Sequence, residues 1–174
     1  MIRAQNPKWS KGNLFGIGIV MLMALLGAVW LLRKEKIRIS QAVTGMLALG
    51  YVLWVFGSTV LTRESSVRRC ELEFLWSWRV ILQGNREILW ESLLNVGLLF
   101  PVGLLLPAIF KSKCPWYCGL CVGILISGVI EVSQLVLCRG LFELDDILHN
   151  TIGCILGIWL MNLIIQSVNI NKGM

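Results

Sequence analysis

The sequence predicts an all-α, polytopic membrane helix bundle with about five transmembrane helices, on three observations. Of the 174 residues, 56% are hydrophobic, and mean hydropathy is +0.75. Only 15% are charged, where a soluble domain of this size carries about 25%. The apolar residues gather into five runs long enough to cross a bilayer, ~20 residues each. The formal charge of +6 then reads as loop charge that orients helices. No Arg/Lys run with interleaved aromatics resembles a nucleic-acid module, so no nucleic-acid partner is expected.

The chain opens on a polar, basic tail with Arg3, Lys8 and Lys11, and Trp9 is placed to anchor at an interface. Leu14 to Leu32 is the first span. A signal peptide would have a shorter apolar core and a small-residue cleavage site. This run ends on Trp30, Leu31, Leu32 and then Arg33 and Lys34, so it is read as retained. After the basic turn RKEKIRIS, a second run covers about Ala42 to Leu61 and is flanked by Arg63.

Residues 63 to 90 differ in kind, with charges and Trp76, Trp78 and Trp90. The piece CELEFLWSWRVIL is amphipathic enough to lie at the membrane interface as a short helix or a re-entrant segment, although a plain extramembrane loop is an open alternative. The third span, about Ser92 to Phe110, holds Pro101 and Pro107, each with a glycine four residues earlier, Gly97 and Gly103. Proline leaves the carbonyl four residues back unbonded, and glycine there lets a helix bend, so a kinked helix is expected. Lys111 and Lys113 form a basic turn. The fourth span runs from Pro115 to about Leu137 and the fifth from about Ile147 to Gln166. Gly119 with Gly123, and Gly153 with Gly157, are small-xxx-small pairs that permit close helix approach. The cysteines Cys114, Cys118 and Cys121 superficially resemble zinc spacing, but no fourth ligand lies near them. In apolar runs cysteine behaves as a small hydrophobe. Cys70 and Cys138 could form a disulfide if both face an oxidising side.

Five spans put the termini on opposite sides. Arg33, Lys34, Lys36 and Arg38 crowd into one very short loop, and short loops beside helix ends carry the orientation signal. The expectation is a multi-pass cell-membrane protein with the N-terminus outside and the C-terminus cytoplasmic.

The most informative stretch is SGVIEVSQLVLCRGLFELDDILHNTIGCILG, residues 127–157. Ionisable residues in membrane-length apolar segments are expensive and usually functional. Ser127, Glu131, Gln134 and Cys138 share one helical face; Asp146, Asn150, Gly153 and Gly157 repeat the spacing on the next segment. The third span starts on the side where the fourth ends and the fifth begins. Asn95, Ser127, Glu131, Gln134, Asp145, Asp146 and Asn150 should therefore form one polar pocket, with Arg63 and Arg139 on the same side. Glu131, eight residues before Arg139, would lie about 12 Å deep at 1.5 Å per residue.

The segments NVGLLFPVGLLLP, SGVIEVSQ and RGLFELDDILHNTIGCILG resemble the VanZ-like family of small bacterial membrane proteins, over roughly residues 51–165. The resemblance implies a cell-envelope context, and the founding member is associated with resistance to the glycopeptide teicoplanin. It divides the chain into an added tail, helix and basic turn (1–40) and a VanZ-like membrane domain (41–174). CELEFLWSWRVIL replaces the Asn/Pro/Phe-rich motif that the family's loop often carries, and His149 stands at a position usually aliphatic.

Two functions fit these residues. In the first, the pocket binds or modifies an anionic membrane lipid or a lipid-linked wall precursor. Arg63 and Arg139 would clamp phosphate, with Glu131 as candidate catalytic base. Asp145 and Asp146 would either hold a divalent cation or cap a helix N-terminus. In the second, the chain is a non-enzymatic small transporter, flippase or accessory subunit that moves about Pro101 and Pro107 and forms a homo-oligomer. A purely structural role for the polar groups is the alternative to both, although interhelical hydrogen bonds in membranes average only about 0.6 kcal/mol. Neither a Ser/His/Asp arrangement nor a P-loop supports an enzyme label.

Overall fold

The computed structural model describes residues 9–65, 67–110 and 112–172, with side chains described through residue 168. Arg3, Lys8 and Lys111 of the expected basic tail and turn lie outside the described residues. Five described helices are long and apolar enough to cross a membrane, which makes the chain a multi-pass helix bundle.

The first, α1 (Lys11–Arg33), begins where the Ser10 hydroxyl accepts the Asn13 N–H at 3.1 Å. It buries none of its residues and packs chiefly on α2 (Ile39–Phe56). The end of α2 widens into a π-helical turn, Gly57–Leu61. Such a turn leaves carbonyls without their usual helical partner, and other elements supply donors. Gln134 Nε2 reaches the Thr59 carbonyl at 3.2 Å, and Arg139 Nη1 the Leu61 carbonyl at 2.8 Å. Asn13 Nδ2 reaches the same Leu61 oxygen, so α1 starts at the end of the bundle where α2 finishes.

The segment between α2 and the third span carries elements of its own. A three-residue strand, β1 (Arg69–Glu71), pairs in parallel with β2 (Leu141–Glu143), Cys70 opposite Phe142. The short helix α3 (Trp76–Leu82) follows, with Phe74, Trp78 and Leu82 exposed, as an interfacial helix requires. Then come α4 (Arg86–Phe110), α5 (Trp116–Leu137) and α6 (Leu144–Lys172).

The core is the sandwich of α4 and α6, where Leu99, Val102, Leu106, Cys154 and Ile158 are buried together. Three glycines bring the two backbones into contact. A Cβ on Gly103 would strike the Cys154 carbonyl, one on Gly153 the Val96 carbonyl, and one on Gly157 the Phe100 carbonyl. On α5, Gly119 and Gly123 let α6 approach at Ile155 and Thr151. Close packing of this kind drives helix association where lipid is as apolar as the side chains. Helix α4 stays helical across both Pro101 and Pro107, and Tyr51 donates its hydroxyl to the Leu98 carbonyl beside the first. The far end of the bundle is tied by Asn162, whose amide bonds both the N–H and the carbonyl of Cys114.

Candidate functional site

The polar residues of the recess end divide into two layers. The outer layer lines a cavity of about 280 Å³ between α3, α4, β2 and the start of α6. Its charged and polar walls are Arg63, Glu91, Asn95, Glu143, Asp145, Asp146 and His149, with Trp76 and Ser77 from α3. Asn95 on α4 donates to Asp146 on α6, which closes the inner end. Burial, together with Asp146, Glu91, Asp145 and Glu71 nearby, pushes the Glu143 carboxyl up to about 7.

Asp145 is committed to structure. It is 1% exposed and accepts the N–H of Leu75 at 2.7 Å, the N–H of Ser77 at 2.9 Å and the Ser77 hydroxyl. The capping expected of the acidic pair is therefore made, but across the fold. Asp145 caps α3 rather than its own helix. Leu75, at φ 62, turns the chain so that these donors converge on one carboxylate.

Asp146 shares its carboxylate with Asn95 and stands in the field of Arg63. Among the described residues no three His, Cys, Asp or Glu groups stand together as a metal-holding set.

The inner layer lies behind the cavity and does not line it. Glu131, 2% exposed, accepts the Glu143 N–H at 3.1 Å, which joins α5 to β2. Gln134 is spent on the π-helical turn, and Asn150 donates to the Ser127 hydroxyl at 2.8 Å. Arg139 holds the Leu61 carbonyl and is likewise absent from the lining. Of the residues expected from sequence, Arg63, Asn95, Asp145 and Asp146 meet in the cavity; Ser127, Glu131, Gln134 and Asn150 form a hydrogen-bonded floor beneath it.

Sequence reasoning missed Glu91, Glu143, His149 and Trp76 as lining residues. His149 is 2% exposed, neither ring nitrogen has a partner, and its ring lies 6.0 Å from that of Trp78. Its signal in the sequence is an imidazole in an apolar run, one helical turn after Asp145.

Residues 19–165 match the model of the VanZ/LLP1 family. The chain belongs to the VanZ/LLP1 family. The match spans Glu131, the acidic pair and Asn150, and it opens within α1. No curated protein and no solved structure matches this VanZ/LLP1 chain.

Proposed function

We propose that this VanZ/LLP1 protein works in the bacterial cell membrane by receiving a phosphate-bearing headgroup, of an anionic lipid or a lipid-linked wall precursor, in the recess. One observation carries this reading. Arg63 lines the cavity, yet it makes no ion pair or hydrogen bond with another described residue. A guanidinium held at the membrane surface with its donors unspent suits phosphate, which it can grip bidentately. Phe74, Trp78 and Trp90, exposed on the segments that lead into and through α3 and α4, belong at headgroup depth. In this reading the recess faces outward, and headgroup capture contributes to glycopeptide (teicoplanin) resistance. Pro101 and Pro107 support the second reading, a small transporter, flippase or accessory subunit that opens by bending α4.

The test is native mass spectrometry of the detergent-purified protein with short-chain phosphatidylglycerol. Arg63→Ala should weaken lipid retention about tenfold, roughly 1.4 kcal/mol. Arg139→Ala should lower thermal stability and leave retention within a factor of about two, since its guanidinium serves the Leu61 carbonyl. Equal retention by wild type and Arg63→Ala would remove the reading. In cells, teicoplanin susceptibility should follow retention across the same variants.

A further inference from the structure

Arg63 answers only part of what lines the recess. Against that guanidinium stand three carboxylates, Glu91 from α4, Glu143 from β2 and Asp146 from α6, apart from Asp145, which α3 occupies. An anion alone would leave this excess of negative charge facing a half-dry cavity. A bound cation would offset it, and would favour the ionised form of Glu143 over the protonated one.

The second observation is His149. A neutral imidazole has one donor and one acceptor nitrogen, and here both are buried in the cavity wall without a partner. The indole N–H of Trp76, also in the wall, is unpartnered too. Leaving such atoms unsatisfied is unfavourable, so their gathering in one wall favours a polar ligand there, met by a small turn of these rings.

The three carboxylates come from three separate elements, and no metal-holding set forms among the described residues. Acceptors spread around a cavity of about 280 Å³ suit a primary ammonium. It can bond one or two of these carboxylates and complete its three N–H bonds with water, whereas a metal ion would need them gathered into one shell.

We propose that the recess binds an aminoalkyl phosphate headgroup, its phosphate on Arg63 and the Trp76 N–H, its primary ammonium among Glu91, Glu143 and Asp146, with the His149 ring as a further hydrogen-bond partner. This deepens the phosphate-headgroup reading and rests on it. The same chemistry occurs in a membrane phospholipid such as phosphatidylethanolamine and in free O-phosphoethanolamine.

The experiment titrates detergent-purified full-length protein with short-chain phosphatidylethanolamine, phosphatidylcholine and phosphatidylglycerol, read by native mass spectrometry. Wild type should retain phosphatidylethanolamine about tenfold better than the other two, because a trimethylated ammonium donates no hydrogen bond and glycerol carries no charge. The Glu91→Gln/Glu143→Gln double variant should hold all three alike. His149→Leu should also lose the preference while melting at or above the wild-type temperature, since leucine leaves no buried polar atom unpaired. A merely structural histidine would leave the preference intact. Displacement by O-phosphoethanolamine at concentrations comparable to the lipid would assign the site to the free compound; failure to displace would assign it to the lipid. If phosphatidylglycerol binds as well as phosphatidylethanolamine and Arg63→Ala weakens both, amine recognition is wrong and the phosphate reading survives. If no phospholipid is retained, both fall.

Discussion

A single carboxylate decides whether the loop after α2 is structure or slack. Asp145 takes three donors from Leu75 and Ser77, and hydrogen bonds to a charged group are worth more than neutral ones. Asp145→Ala should cost roughly 2–3 kcal/mol and speed amide hydrogen exchange across residues 69–82 while the spans stay protected. Ser77→Ala, which removes one of the three, should cost about 1 kcal/mol. Glu143 makes a pH prediction. Its ordinary value is 4.5 and in the fold it lies at about 7, raised by burial and by Asp146, Glu91, Asp145 and Glu71. Below pH 4.5 folded and unfolded chains both hold the proton, and the group adds no pH dependence. Between 4.5 and 7 only the folded chain holds it, so stability falls as pH rises, and above 7 the loss is complete. Thermal melts in detergent should show this decline, and Glu143→Gln should flatten it. An unchanged slope would mean that other groups carry the pH dependence.

Among the elements, the contact of α4 with α6 is the most exacting, because backbone meets backbone. Gly153→Ala drives a methyl into the Val96 carbonyl and should cost about 3 kcal/mol, at the upper end of overpacking effects. Gly128→Ala on α5 meets nothing within 4 Å and should change stability by no more than about 0.5 kcal/mol. Thermal shift by size-exclusion chromatography separates the two; equal effects would mean the helices are free to move apart. The close-approach face of Gly153 and Gly157 was legible, since glycines at i and i+4 mark a face; the part Gly103 plays in the same contact was not, because its place before Pro107 reads as a hinge. The spans were legible too, but α4 starts at Arg86 and α6 at Leu144, earlier than hydropathy marks them. Glu91, Asp145 and Asp146 lower the hydropathy of those first turns while facing a polar cavity instead of lipid. The strands β1 and β2 were not legible at all. Three residues each, paired in parallel across a gap of about 70 positions, leave no periodicity to read.

At the scale of the whole molecule, the recess exists because β1 and α3 fold back onto β2, α4 and the start of α6. Glu143 lies in a stretch that reads as a turn, and Trp76 in one that reads as a surface helix or a loop, until that closure brings them together, whereas Asn95 and Asp146 belong to spans whose shared side follows from helix count. Which compartment the recess faces is then a question of charge. At the opposite end Arg33, Lys34, Lys36 and Arg38 are all exposed within one short turn, and we expect such a cluster on the cytoplasmic side. Cys70, exposed in β1 at the recess end, is a built-in probe of this. In a variant with the other five cysteines replaced by serine, a membrane-impermeant maleimide should label Cys70 in intact cells, with little further labelling after lysis. A single cysteine placed instead at Ser112, exposed in the turn between α4 and α5, should label only once the membrane is opened. The reverse pattern would turn the recess toward the cytoplasm, where an external wall precursor could not reach Arg63.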